Sequence, residues 1–81
     1  MIEARQIRAA RSLLGWSQTD LVDRAGLSLT TIRRMEDDEI GAGRSSADNV
    51  MAVQRALEAA GVQFIPENGG GAGVRLAKPG R

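Results

Sequence analysis

The chain has 81 residues, 11 basic and 10 acidic side chains, and neither cysteine nor histidine. That length allows one small domain burying about 60% of its unfolded surface. The missing residue types exclude a disulfide framework, a thiolate metal site and the commonest general base. A net charge of +1 gives no strong field for polyanions, but every basic residue except Lys78 is arginine, the side chain suited to bidentate contacts with phosphate and guanine. No apolar run approaches the ~18–20 residues of a membrane span, and MIEARQIRAARSL lacks a secretory apolar core, so the expectation is a cytoplasmic protein with no membrane association.

The first predicted helix covers Ile2 to Leu14, with Ile7, Ala10 and Leu14 at helical spacing and Gly15 at its end. Ser17 is an N-cap with Asp20 completing a capping box, which predicts a second helix over Gln18–Arg24. Gly26 suits the left-handed position of a tight turn. Ser28 caps a third helix expected to end near Asp37 or Asp38, and residues 39–46 read as a loop. Ser45 or Ser46 caps a fourth helix, with Asp48 at its positive end, an apolar stripe of Val50, Val53, Leu57 and Ala60, and Gly61 after it.

Beyond Gly61 the period shortens. Val62 and Phe64, extending to Ile65, are strand-like, Pro66 breaks the run, ENGGGAG is a flexible connection, and Val74–Leu76 form a second short strand. A lone hairpin is marginal, so it either packs on the helices or pairs with another chain. The second option makes Val62, Phe64, Ile65, Val74 and Leu76 a dimer interface. The expected organisation is a helical unit at 1–61, a strand-like appendage at 62–77 and a frayed tail at 78–81.

Two short helices around a Gly-centred turn, QTDLVDRAGLSLTTIRRME, are the layout of a helix-turn-helix, which sets its second helix in the DNA major groove. On a helical wheel Ile32 and Met35 face the core, Thr30, Arg33, Arg34 and Asp37 point away, and Leu29 lies at the border. The competing reading is a solvated face with i,i+4 pairs Arg33–Asp37 and Arg34–Asp38, worth a few tenths of a kcal/mol. Capped helix starts at Ser17–Gln18 and at Arg44–Ser45, on either side of the third helix, suggest phosphate anchors.

LLGWSQTDLVDRAGLSLTTIRRMED resembles the helix-turn-helix of the Cro/repressor-type, xenobiotic-response-element-like bacterial and phage regulators. Ser17, Gln18, Leu21, Ala25, Gly26, Ile32 and Glu36 match the family pattern, and the similar layout covers roughly residues 5 to 60. The resemblance implies a mainly α, lambda-repressor-like bundle of four to five helices with a short C-terminal strand or hairpin. It implies base reading by Leu29, Thr30 and Arg34, and phosphate contacts by Gln18, Thr31 and Arg33 alongside the two anchors. It also implies a structural salt bridge between Arg11 and Glu36. Val22 stands where the family has a small alanine, and the recognition positions lack Gln and Asn.

Trp16 and Phe64 read as packing residues, the Glu36–Glu39 acidic run as a solvated helix end lacking calcium-loop spacing, and Gly69–Gly71 as a link without the Lys-Ser/Thr ending of a phosphate loop. No catalytic residue, metal site or cofactor is expected. The leading expectation is a double-stranded DNA-binding regulator, most simply a homodimeric repressor. The alternative is an antitoxin or anti-activator that holds a protein partner.

Overall fold

The computed structural model describes residues 1–77, so the tail expected at 78–81 lies outside the described residues. The element order is α1 (Ala4–Leu14), α2 (Gln18–Ala25), α3 (Leu29–Met35), a 3-10 turn (Ala42–Arg44), α4 (Ala47–Ala59), β1 (Val62–Ile65) and β2 (Gly73–Leu76). The protein is mainly helical, with four α-helices and an antiparallel two-stranded hairpin among the described residues.

Local chemistry accounts for the boundaries. α1 begins two residues later than its periodicity suggests, because Glu3 adopts an extended conformation and serves as N-cap while Ile2 enters the core. In α2, Ser17 Oγ accepts from the Asp20 amide at 3.1 Å and an Asp20 carboxylate oxygen accepts from the Ser17 amide at 2.8 Å. Ser28 and Ser46 accept from the amides of Thr31 and Asn49 in the same way. Gly26 closes α2 at φ 70°. A Cβ there would meet nothing within 4 Å, so the demand for glycine is conformational, not a matter of space.

Ile7, Leu21, Ile32, Met35, Val53 and Leu57 are fully buried, one or more from each helix. Each contributes about 1.5–3 kcal/mol on burial, which lets helices as short as α2 and α3 persist. Val22 is half-buried against this core and is accommodated at its edge.

The hairpin pairs Val62 with Leu76, Gln63 with Arg75, Phe64 with Val74 and Ile65 with Gly73. Facing partners share a side of the sheet. Val62, Phe64, Val74 and Leu76 therefore form one face, and Val62, Phe64 and Val74 pack into the core beside α1 and α4. The appendage is thus continuous with the helical core.

A buried amide fastens it. Gln6 is 4% exposed; its Nε2 donates to the Gly73 carbonyl at 3.0 Å and the Ile65 carbonyl at 3.3 Å, and its Oε1 accepts from the Glu3 amide at 2.7 Å. One side chain caps α1 and closes the end of the hairpin. Gln6→Leu, which keeps the volume and deletes three hydrogen bonds, is expected to cost about 1–3 kcal/mol in urea denaturation. Faster amide hydrogen exchange confined to Val62–Ile65 would place the damage at the hairpin.

Candidate nucleic-acid interface

The pose of α3 is set by a buried ion pair. Arg11 on α1 donates through Nε to Glu36 Oε2 at 2.6 Å and through Nη2 to Oε1 at 2.8 Å. Its remaining Nη1 donates to the Trp16 carbonyl at 3.0 Å, and Gln18 Nε2 donates to Glu36 Oε1 at 3.0 Å. The Glu36 side chain is 3% exposed. A single carboxylate at the C-cap of α3 therefore ties together α1, the start of α2 and the end of α3. Hydrogen bonding to Glu36 raises the Arg11 pKa above its ordinary value and outweighs the opposing desolvation. The salt bridge implied by the family resemblance is present.

Arg8 adds a second tie. It donates to the Glu36 carbonyl and, bidentately, to Asp38 at 2.9 and 3.1 Å. Asp37 turns back on the chain, its Oδ1 accepting from the Glu39 amide at 2.8 Å. α3 consequently stops at Met35, short of the Asp37–Asp38 end expected from sequence. Without a helical register beyond that point, the pairs Arg33–Asp37 and Arg34–Asp38 do not form.

Among the described residues, no carboxylate lies within ion-pair distance of Arg33 or Arg34, and both side chains are exposed. Thr30 is exposed beside them and Leu29 is half-buried. Ser28 Oγ donates to Thr31 Oγ1 at 2.9 Å, which fixes the half-buried Thr31 while leaving its own hydroxyl proton available.

An open groove runs from α3 to the start of α4. Thr31, Arg34, Arg44 and Ser45 line it, so four of the residues expected from sequence come together. Ser46 and Asn49 join them, Ser46 as the cap of α4 and Asn49 as the residue whose backbone amide that cap accepts from. Ile40 forms its apolar rim. Ser17 and Gln18 lie at a separate corner. The Ser17 hydroxyl caps α2, and the Gln18 amide group is already committed to Glu36, which leaves its Oε1 as the free atom.

The hairpin residues are placed differently from a free interface. Val62 is 3% exposed in the core of its own chain, and Phe64 and Val74 are packed against that core. These three side chains are turned toward the helices of their own chain. Leu76 is 48% exposed and Ile65, opposite Gly73, lies on the outer face with Gln63 and Arg75. Trp16 packs against the core with the Arg24 guanidinium 4.9 Å above its ring centroid.

Two residues with structural roles, Gln6 and Arg8, and one that lines the groove, Asn49, were not singled out from the sequence. Gln6 sits on the buried face of α1 and bonds carbonyls 59 and 67 residues away. Arg8 finds its partners 28 and 30 residues away. Asn49 could have been noticed as the one amide in the first turn of α4. No protein-family model matches the chain, and no curated protein matches it.

Removing one member of the buried pair leaves the other charge stranded, so Glu36→Ala is expected to cost about 3–5 kcal/mol by urea denaturation. The Asp38 pair behaves otherwise. The hydrogen bond from Arg8 holds the Asp38 carboxyl below its ordinary 3.8, and both groups are solvent-exposed. A lowered folded-state pKa stabilises above 3.8 and that contribution fades as pH falls through the folded value. Asp38→Asn should therefore give a small loss at pH 7, weakened by salt, whose difference from wild type shrinks as pH drops below 3.8. Thermal melts across that range check it; a difference that widens on acidification would contradict the assignment.

Proposed function

We propose that the protein is a sequence-specific double-stranded DNA-binding regulator of the cytoplasm, acting as a dimeric repressor that sets α3 in the major groove. The observation that carries this reading is the disposition of charge around α3. Among the described residues its two arginines are exposed and without an ion-pair partner, while Glu36, Asp37 and Asp38 are engaged by Arg11, the backbone and Arg8. A solvated, self-neutralised face would keep those acids beside the arginines.

Arg34, which faces both the outer surface of α3 and the groove leading to α4, would donate bidentately to guanine O6 and N7. Thr30 and Leu29 would meet neighbouring base edges, their methyl groups against thymine. Arg33, Arg44, Ser45, Thr31 and the amide-rich starts of α2 and α4 would hold flanking phosphates. Two half-sites one helical turn apart are separated by about 34–36 Å. The molecule measures 36 × 30 × 20 Å, so two copies reading adjacent half-sites would lie side by side within touching distance.

The direct test is selection of bound sequences from random DNA duplexes with the full chain, which should return a two-fold symmetric site. On that site Arg34→Ala should lose about 1–3 kcal/mol and tolerate substitution at one base position per half-site. Arg33→Ala should weaken all sequences alike and reduce the slope of log affinity against log salt by about 1. No enrichment, or affinity indifferent to salt, would overturn the reading.

A further inference from the structure

The hairpin packs Val62, Phe64 and Val74 against its own chain, so a second surface is available for a dimer. α4 offers one. Its outward arc carries Asp48, Met51, Arg55 and Glu58, at helical spacings of three and four residues, all exposed. Met51 is 41% exposed, one of few large apolar side chains left at the surface. Among the described residues neither Asp48 nor Arg55 has an ion-pair partner, and the Glu58 carboxylate, three residues beyond Arg55, accepts instead from Gln54 Nε2 at 3.2 Å. Asp48 has none available within the helix either, since Met51 and Ala52 occupy the positions three and four residues on. The two opposite charges lie about 10 Å apart along the axis, out of each other's reach.

We propose that this stripe docks on the same stripe of a second copy, the two α4 helices running antiparallel about a two-fold axis between Met51 and Ala52. In that register Asp48 of each copy meets Arg55 of the other, and each Met51 lies over the small Ala52 of its mate. A two-fold axis makes such a contact self-complementary, so one compatible pair of charges is satisfied twice. A parallel arrangement would set Asp48 against Asp48 and Arg55 against Arg55, so charge selects the antiparallel one. Alanines at 47, 52 and 59 allow the close approach of axes that helix packing requires, about 8–10 Å.

A single pair of four-turn helices buries less than the ~1,200 Å² of a stable standard interface. The dimer is therefore weak in solution and is reinforced when two half-sites on one duplex hold the copies together. The proposal rests on the dimeric regulator described above, but its test needs no DNA.

Sedimentation equilibrium of the full chain over a wide concentration range should show a reversible monomer–dimer equilibrium. Arg55→Glu, which confronts two carboxylates at each end of the stripe, should raise the dissociation constant about tenfold or more. Adding Asp48→Arg to that variant restores opposite charges in swapped positions and should return the constant to near the wild-type value. Met51→Glu should leave only monomer. Circular dichroism melts of each variant confirm that the fold is retained. A wild type that is monomeric throughout would overturn the proposal, as would an Arg55→Glu variant that still dimerises or a double variant that fails to recover. A dimer lost with Leu76→Glu and kept with Arg55→Glu would move the interface to the hairpin. Binding of a single half-site duplex reports separately on α3: its failure would sink the DNA reading while leaving the helix pairing measurable.

Discussion

The arrangement of the candidate interface depends on one buried carboxylate. Glu36 ends α3, and each of its side-chain oxygens is occupied by donors from other helices, Arg11 from α1 and Gln18 from α2. Because Arg11 also holds the Trp16 carbonyl, the α1–α2 junction is locked to the same point. Desolvation offsets much of the attraction in a pair this buried. Its contribution is geometric. A helix of seven residues has little intrinsic persistence, and its outward face holds a fixed direction only if both ends are tied. Ser28 ties one and Glu36 the other.

The same region sorts charge. Near-neutral composition conceals a separation in space: acids from the end of α3 are engaged by α1 or by the backbone, and the arginines of α3 and of the following loop are left to solvent. Net charge is a property of the sum, whereas a polyanion responds to the potential over one face. The early stop of α3 produces this separation, because one more helical turn would have set Asp37 and Asp38 beside Arg33 and Arg34.

Features written in local chemistry were legible in the sequence. Ser17, Ser28 and Ser46 cap their helices as serine before an apolar run suggests, and Gly15, Gly26 and Gly61 all adopt positive φ. The apolar period identified Ile7, Ile32, Met35, Val53 and Leu57 as core. The Arg11–Glu36 bridge was legible only through resemblance, since nothing in the spacing of residues 25 apart specifies it. The end of α3 was misjudged because Asp37 and Asp38 are compatible with a helix, and the competing turn is stabilised by contacts from α1. The hairpin's partner was left open for the same reason: alternation shows which face is apolar but not whose surface covers it. Gln6 was illegible as a tie, because a glutamine on an apolar face carries no mark of the carbonyls it will meet.

That glutamine has a consequence for how the chain acquires its structure. The bond to Gly73 joins residues 67 apart, so α1 receives its final hydrogen-bond partner only after nearly the whole domain has been synthesised. Closing so long a loop is entropically unfavourable until α1 and α4 have already docked, which places the hairpin among the late events. The helices carrying the candidate interface are joined by near neighbours in sequence and can assemble first. At Gln6, one of the earliest residues made thus waits for one of the latest, Gly73, to complete its hydrogen bonds.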